Sequence, residues 1–127
     1  MMLVFLALYF AGSREARKYI DEVYSGRTEV FMCEVDEAEF LYNYARVFGW
    51  ELALIKHALP RNCPIVISGV DEFLTTDVAK LKLKYYSRLS LADCYLIALA
   101  KQKKAKIITT DEDVEKVKEV LTVLLQA

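Results

Sequence analysis

Acidic residues follow three apolar segments of this chain that have the pattern of a buried strand. The groups are Glu34, Asp36 and Glu39 after VFMC, Asp71 and Glu72 after PIVIS, and Asp111, Glu112 and Asp113 after KIIT. A further acid, Asp93, falls in the first turn of a predicted helix. Because ligands of open parallel sheets bind at the carboxyl ends of the strands, these acids are the candidates for chemistry.

Carboxylates that gather at one place need a counter-ion. Like charges at close range raise one another's pKa and destabilise the fold unless a cation neutralises them. Hard oxygen ligands select Mg²⁺ or Mn²⁺. Such a cation suits phosphoryl chemistry, because it lowers the pKa of a bound water and stabilises charge on an in-line phosphate transition state.

A structural role competes with this hypothesis at each position. Asp36 and Glu39 have the spacing of a capping box, Ser90 and Asp93 nearly so, and Asp111 suits an N-cap. Acids in a first helical turn also interact favourably with the helix dipole. Taken singly, each acid is more often structural, and composition does not decide between the two roles.

The elements that must position these acids alternate between helix and strand. Apolar spacing predicts a helix over residues 13–25 after the N-cap Ser13. A long helix is expected from about Asp36, with Ala38, Leu41, Ala45 and Phe48 on one face. Gly49 marks a break before a second helical piece at residues 50–59, which Pro60 ends.

Three more helices and four strands complete the prediction. Asp71 caps a helix to about residue 86 and is expected to be a cap, not a ligand. Ser90 caps a helix over residues 91–103, and a short helix follows Asp111 to about residue 118. Strands are expected at residues 30–33, 64–68 and 106–109. Residues 120–125 fit either a last strand or a helical tail, and a strand is favoured. The alternation favours a three-layer α/β/α fold with a mostly parallel central sheet, as a single domain over residues 1–127.

Composition excludes several classes of protein. The chain has 127 residues, 55% hydrophobic and 28% charged, which is typical of a soluble globular domain and not of a disordered chain. Its formal charge of −1 generates no long-range field for a polyanion, so nucleic-acid contacts must come from local lysine runs at residues 80–88 and 101–106.

Cysteine usage and the opening segment suggest a cytoplasmic location. Cys33, Cys63 and Cys94 have neither a disulfide-framework nor a zinc-site spacing. The opening MMLVFLALYFAG has no preceding basic residue and is shorter than the roughly 20 apolar residues of a membrane span. No membrane association is expected.

Three segments resemble motifs of PIN domains. LSLADCYLIALAKQKKAKIITTDEDVEKV, residues 89–117, is similar to the third and fourth motifs, with an Asp opening an apolar helix and a strand ending in T-T-D. CEVDEAEFLYNYAR resembles the second motif, a strand followed by a helix with one buried Glu, in a register that favours Glu39 over Glu37. VFLALYFAGSREARKYIDE resembles the helix entry after the first strand.

The resemblance implies roles for individual residues. Glu39, Asp93 and Asp111 would be the catalytic acids and, with Asp113 as an outer ligand, would bind Mg²⁺ or Mn²⁺. Supporting roles are implied for three residues: Thr109 and Thr110, either of which could hydrogen-bond a ligand carboxylate or phosphate, and Asn43, which could orient Glu39.

One departure from the PIN pattern concerns the first strand. PIN domains open with a strand that ends in Asp, a principal metal ligand, whereas VFLAL and the preceding Met1, Met2 and Leu3 contain no acid. Either the chain as given begins late, or it is a member that has lost this ligand. Since this strand is central in the family, a truncated first strand is still expected within residues 1–5.

Two functions follow from the resemblance. The first is a metal-dependent endoribonuclease similar to the toxin half of VapBC toxin–antitoxin pairs. It would hydrolyse RNA phosphodiester bonds with a metal-activated water, form a homodimer and bind a small antitoxin. The alternative is a catalytically inactive PIN-like module that binds protein or RNA, which the missing acid supports. A flavodoxin-like or receiver-type domain is a more distant third.

Overall fold

A five-stranded parallel sheet forms the centre of the protein. The computed structural model describes residues 2–5, 21, 25, 29–55, 65–109 and 111–124. The strands are β1 (Met2–Phe5), β2 (Glu29–Cys33), β3 (Ile65–Ser68), β4 (Lys106–Thr109) and β5 (Thr122–Leu124). Their order is β3-β2-β1-β4-β5, and every neighbouring pair is parallel. The predicted α/β fold with a parallel sheet is therefore confirmed.

The truncated first strand lies at the centre of the sheet, as predicted. Val4 pairs with Phe31 of β2 on one side and with Ile107 of β4 on the other. The chain passes from β1 outward to β2 and β3, and later returns to the other side of β1 as β4 and β5. The strand order thus reverses between β1 and β4, which is where ligands bind in open α/β sheets.

Both faces of the sheet are buried at strands β2 and β4. Side chains alternate between the two faces along a strand. In β2 the consecutive residues Val30, Phe31, Met32 and Cys33 are all buried, and β4 likewise buries its neighbours Ile107 and Ile108. A sheet covered on both sides explains why these strands are continuous apolar runs.

The helices lie close to the predicted positions. They are α1 (Glu34–Phe48), α2 (Glu72–Lys84), α3 (Leu91–Lys103) and α4 (Glu112–Lys116). The bounds predicted for α3 are confirmed, whereas α1 starts two residues before the predicted Asp36 and α2 and α4 end two residues early. The helix predicted over residues 13–25 lies outside the described residues, apart from Asp21 and Ser25.

Helix α1 ends at the predicted break. Gly49 has a φ of 92°, a conformation that favours glycine, and residues 50–55 resume as helix. The face of Ala38, Leu41 and Ala45 lines a groove of about 580 Å³ and does not join the described core. The only buried side chains of α1 are those of Asp36 and Glu37, both in its first half.

The main core cluster lies between the sheet and helices α2 and α3. It contains Leu74 and Val78 of α2 and most of α3, packed on Phe31, Cys33 and Ile107 of the sheet. The predicted core positions of α3 are all buried: Ala92, Leu96, Leu99 and Ala100. Helix α3 is therefore held rigidly against the strands, and its first turn has a defined position.

Candidate acidic site at the carboxyl edge of the sheet

Three helices begin at the carboxyl edge of the sheet and carry the candidate acids. Helix α1 follows β2 without an intervening residue, and α4 begins three residues after β4 ends. Helix α3 reaches β4 through the two residues Lys104 and Ala105, so it runs against the strands and begins at the same edge. The positive ends of these helices favour carboxylates there.

Asp93 and Asp111 form the closest acid pair. Their carboxyl groups lie close enough together for Asp111 to act on the pKa of Asp93. Burial, and after it the charge of Asp111, raises the pKa of Asp93, while the capping interactions with Ser90 lower it. The two acids are 18 residues apart in sequence, and they lie close together because α3 packs against β4.

Asp93 also completes a capping box. Its backbone N–H donates to Ser90 Oγ at 3.1 Å, and its Oδ2 accepts from Ser90 N at 3.3 Å. The structural role considered for Asp93 is therefore real and coexists with the acid pair. One carboxylate oxygen remains available for other contacts when the cap is formed.

Glu39 joins this pair electrostatically. Its pKa is raised by partial burial, then by the negative charges of Asp93 and Asp111. The resemblance to the second PIN motif predicted that Glu39 is the one buried Glu of this helix. The prediction of burial is wrong, because Glu37 is 4% exposed whereas Glu39 is half-buried. Glu37 faces the interior, whereas Glu39 faces the other acids.

Asp36 belongs to the same cluster. The capping box that the spacing of Asp36 and Glu39 allowed is not formed, because α1 begins at Glu34 and its N-cap is Cys33. Asp36 is 2% exposed, and its pKa is raised well above the usual range by burial, then by Glu39 and Asp93. The three-residue spacing between Asp36 and Glu39 indicated that the two side chains lie on one face of the helix.

A tight turn holds Asp111 at the end of β4. The backbone N–H of Asp111 donates to the buried Thr109 Oγ1 at 3.0 Å. Asp111 Oδ1 accepts from Asp113 N at 2.8 Å and from Val114 N at 3.4 Å, which makes Asp111 the N-cap of α4. Thr109 thus contacts the backbone of an acid and not the carboxylate itself.

The remaining predicted site residues lie apart from the cluster or are not described. Asp113 and Asn43 are exposed, Asp113 in the first turn of α4 and Asn43 one turn after Glu39. Thr110 lies outside the described residues. Asp71 caps α2 by accepting from Leu74 N at 2.8 Å, so its predicted role as a cap is confirmed.

The donors suit a hard cation, but they are not preassembled around one point. Within the described ranges, no three acidic, histidine or cysteine side chains converge closely enough to hold a metal ion. Both carboxylate oxygens of Asp36 are nevertheless buried without a hydrogen-bond partner. The residues therefore fit Mg²⁺ or Mn²⁺ by donor type, and binding would require the carboxylates to converge further.

Comparison with known proteins extends the geometric picture. The family model described as PIN domain matches residues 4–120 of the chain. A search of curated proteins found no significant match. The matched residues include all of β2, β3 and β4 and the second half of β1, whereas β5 lies beyond the match. All four acids of the cluster are within it.

Solved toxin–antitoxin structures share the fold. VapBC2 from Rickettsia felis, solved bound to a promoter DNA fragment, superposes with a TM-score of 0.76 at 10% identity, covering 99% of this chain and 100% of that one. VapC20 from Mycobacterium tuberculosis, described as a sarcin-ricin loop cleaving toxin, gives 0.71 at 14% identity, with 93% and 95% covered. VapBC-1 from Haemophilus influenzae gives 0.69 at 15% identity, with 98% of each chain covered.

No helix in the described part of the chain is both long and apolar enough to cross a membrane.

Proposed function

Since the chain belongs to the PIN domain family, we propose that it is a metal-dependent endoribonuclease of the VapC toxin type, formed by one domain over residues 1–127. The observation that carries the proposal is the grouping of Asp93, Asp111 and Glu39 at the strand-order reversal, where the charges of Asp93 and Asp111 act on Glu39. The pKa of Glu39 and the pKa of Asp93 are both raised, an arrangement that functional sites often retain despite its cost in stability.

Three acids would hold the cation, Mg²⁺ or Mn²⁺: Glu39, Asp93 and Asp111. Asp113, exposed in the first turn of α4, would serve as an outer ligand. A divalent cation supplies an activated water and charge stabilisation for phosphodiester hydrolysis. The chain's own part is to orient the acids, and Thr109 does so for Asp111 through the backbone hydrogen bond. Thr110 and Asn43 are proposed to support substrate phosphate and Glu39, respectively.

Partial burial matters for proton transfer at this site. Glu39 has a raised pKa and is only half-buried, so it can accept a proton from a group that enters from solvent. A bound cation would favour the ionised form of Asp93, which burial and the charge of Asp111 disfavour. RNA would approach from the solvent side of the carboxyl edge.

Partners and location are also proposed by similarity to the toxin–antitoxin structures. We expect a small antitoxin protein and a homodimer, supported by the exposed side chains of Tyr42, Phe48 and Trp50. A cytoplasmic location is consistent with Cys33 and Cys94 being free thiols.

The alternative function is a catalytically inactive PIN module that binds RNA or protein. The observation that favours it is the composition of β1, whose residues MLVF contribute no acid to the site. The described acids also do not converge as a ready set of ligands. Such a module would keep the fold and the acids' capping roles, and it would bind RNA without cutting it.

RNA cleavage by Asp93→Asn distinguishes the two functions. Asparagine keeps the shape and the capping ability of Asp93 but removes a negative ligand, so cleavage with Mg²⁺ or Mn²⁺ should fall by orders of magnitude while the fold is retained. Asp71→Asn is the matched control, since Asp71 is also a helix cap and lies outside the cluster. Cleavage should be measured on single-stranded and structured RNA.

Equal cleavage by Asp93→Asn and the unmodified chain would show that the carboxylates are structural. RNA binding without cleavage by the unmodified chain, at any concentration of either metal, would support the inactive module instead.

A further inference from the structure

Asp36 is a buried carboxylate that lacks a hydrogen-bond partner among the described residues. It is 2% exposed, and within that part of the chain neither Oδ1 nor Oδ2 has a partner. Burying an ionised carboxylate without compensation strongly destabilises a fold, so a group of this kind requires an explanation.

Helix capping does not explain Asp36. It occupies the third position of α1, where a carboxylate can reach back to the backbone N–H of the N-cap residue. The N-cap Cys33 makes no side-chain cap, and the Asp36 oxygens accept no bond from its backbone. Capping of α1 therefore accounts for neither oxygen of Asp36.

Asp36 instead faces the acids of the candidate site. Residues three apart lie on one face of a helix, which places Asp36 beside Glu39. Helix α1 also packs against α3, whose first turn carries Asp93. The charges that act on Asp36 are those of Glu39 and Asp93, and both are negative. A buried acid facing two other acids is stabilised when a cation lies among them.

We propose that Asp36 is a further ligand of the divalent cation held by Glu39, Asp93 and Asp111, and that it supplies a fourth carboxylate to the site. The inference rests on the proposed function of that site. Since β1 contributes no acid through its residues MLVF, the carboxylates described at this edge come from the starts of α1, α3 and α4. Asp36 lies deepest among them and would bind the buried side of the ion.

Mn²⁺ binding to the purified chain, measured by calorimetry, tests this role. Asp36→Asn should weaken Mn²⁺ binding by about tenfold or more, since it removes a negative ligand and keeps the shape. The matched control is Asp77→Asn, at an exposed position of α2, which should bind Mn²⁺ like the unmodified chain. Without metal, Asp36→Asn and Asp36→Leu should both melt at a higher temperature than the unmodified chain, because each removes a buried carboxyl that faces other acids.

The outcomes separate this inference from the proposed function. Unchanged Mn²⁺ binding by Asp36→Asn, together with loss of binding by Asp93→Asn, overturns the role of Asp36 and leaves the metal site in place. Absence of Mn²⁺ binding by the unmodified chain overturns both. If Asp36→Asn and Asp36→Leu each lower the melting temperature without metal, Asp36 is structural and the inference fails.

Discussion

Single side chains at this site serve both the fold and the cluster. Asp93 caps α3 while contacting Asp111, and Asp111 caps α4 while contacting Asp93. A cap satisfies backbone N–H groups that a helix start leaves unpaired, so it stabilises the acid's position whether or not a ligand is bound. The capping role and the ligand role are therefore compatible at these residues, and finding one does not argue against the other.

Thr109→Val tests how the end of β4 positions Asp111. Valine has the shape of threonine but cannot accept the 3.0 Å hydrogen bond from Asp111 N. We expect unfolding free energy to fall by about 1 kcal/mol and RNA cleavage to fall with it, because a buried backbone N–H loses its partner. Urea denaturation measures the first effect, with exposed Thr76→Val as control. Equal losses for the two variants would contradict the prediction.

At the scale of elements, several lysines of the two runs form ion pairs or hydrogen bonds within the protein. Lys84 of the first run and Lys101 of the second both pair with Glu119, which also accepts a hydrogen bond from Tyr85. This Glu119 clamp ties α2 and α3 to the segment before β5. Lys82 donates instead to the backbone oxygens of Tyr86 and Leu89 after α2. Fewer lysines are left to contact RNA than the sequence suggested.

The Glu119 clamp should make stability depend on pH in the acid range. Hydrogen bonds from Lys101, then Lys84 and Tyr85, lower the pKa of Glu119 from 4.5 to about 2. A carboxylate with a lowered pKa stabilises the fold above its unfolded pKa, and this contribution is lost as pH falls through the folded value. Since both lysines are largely exposed, we expect only about 1 kcal/mol.

Glu119→Gln provides the measurement. Its unfolding free energy should be lower than that of the unmodified chain at pH 6, and the difference should shrink between pH 4.5 and about 2. Glu115→Gln, on α4, is the matched control. A difference that is independent of pH would mean that the clamp acts through packing alone.

At the scale of the whole molecule, the acidic edge and the aromatic surface are separate features. The aromatic surface comprises Tyr42, Phe48 and Trp50, which are 62%, 55% and 59% exposed. It adjoins the groove lined by Ala38, Leu41 and Ala45 on α1. Exposed aromatic side chains grouped around a groove are typical of protein interfaces. Of the acids that would bind metal, Asp36 and Glu39 lie in the first half of the same helix, whereas Asp93 and Asp111 lie at the starts of α3 and α4.

Trp50→Glu tests whether the aromatic surface forms the proposed homodimer. A charge at the centre of an apolar contact opposes association, and in a symmetric dimer it is introduced twice. We expect the unmodified chain to be a dimer by light scattering at micromolar concentration and Trp50→Glu to be a monomer. Phe73→Glu, exposed on α2, should remain dimeric. A monomeric unmodified chain would refute the dimer, and a dimeric Trp50→Glu would place the interface elsewhere.

The local pattern of the sequence determined most of the fold. Ser90 and Asp71 were predictable as caps, α3 was predictable to its bounds, and the apolar runs identified β2, β3 and β4. These features depend on neighbouring residues, since capping, helical spacing and strand alternation are local. The resemblance to PIN motifs identified Glu39, Asp93 and Asp111 as candidate site residues from the sequence alone.

Only the tertiary structure decided which acids meet. Asp93 and Asp111 are 18 residues apart in sequence and touch because α3 packs on β4, a contact that no local pattern encodes. Asp36 and Glu39 have the spacing of a capping box and also of neighbours on one helix face, so the sequence supported both roles. The choice between them depended on where α1 begins and on its packing against α3. That packing buries Asp36 among acids, because burial is a property of the assembled layers and not of the residue's sequence neighbours.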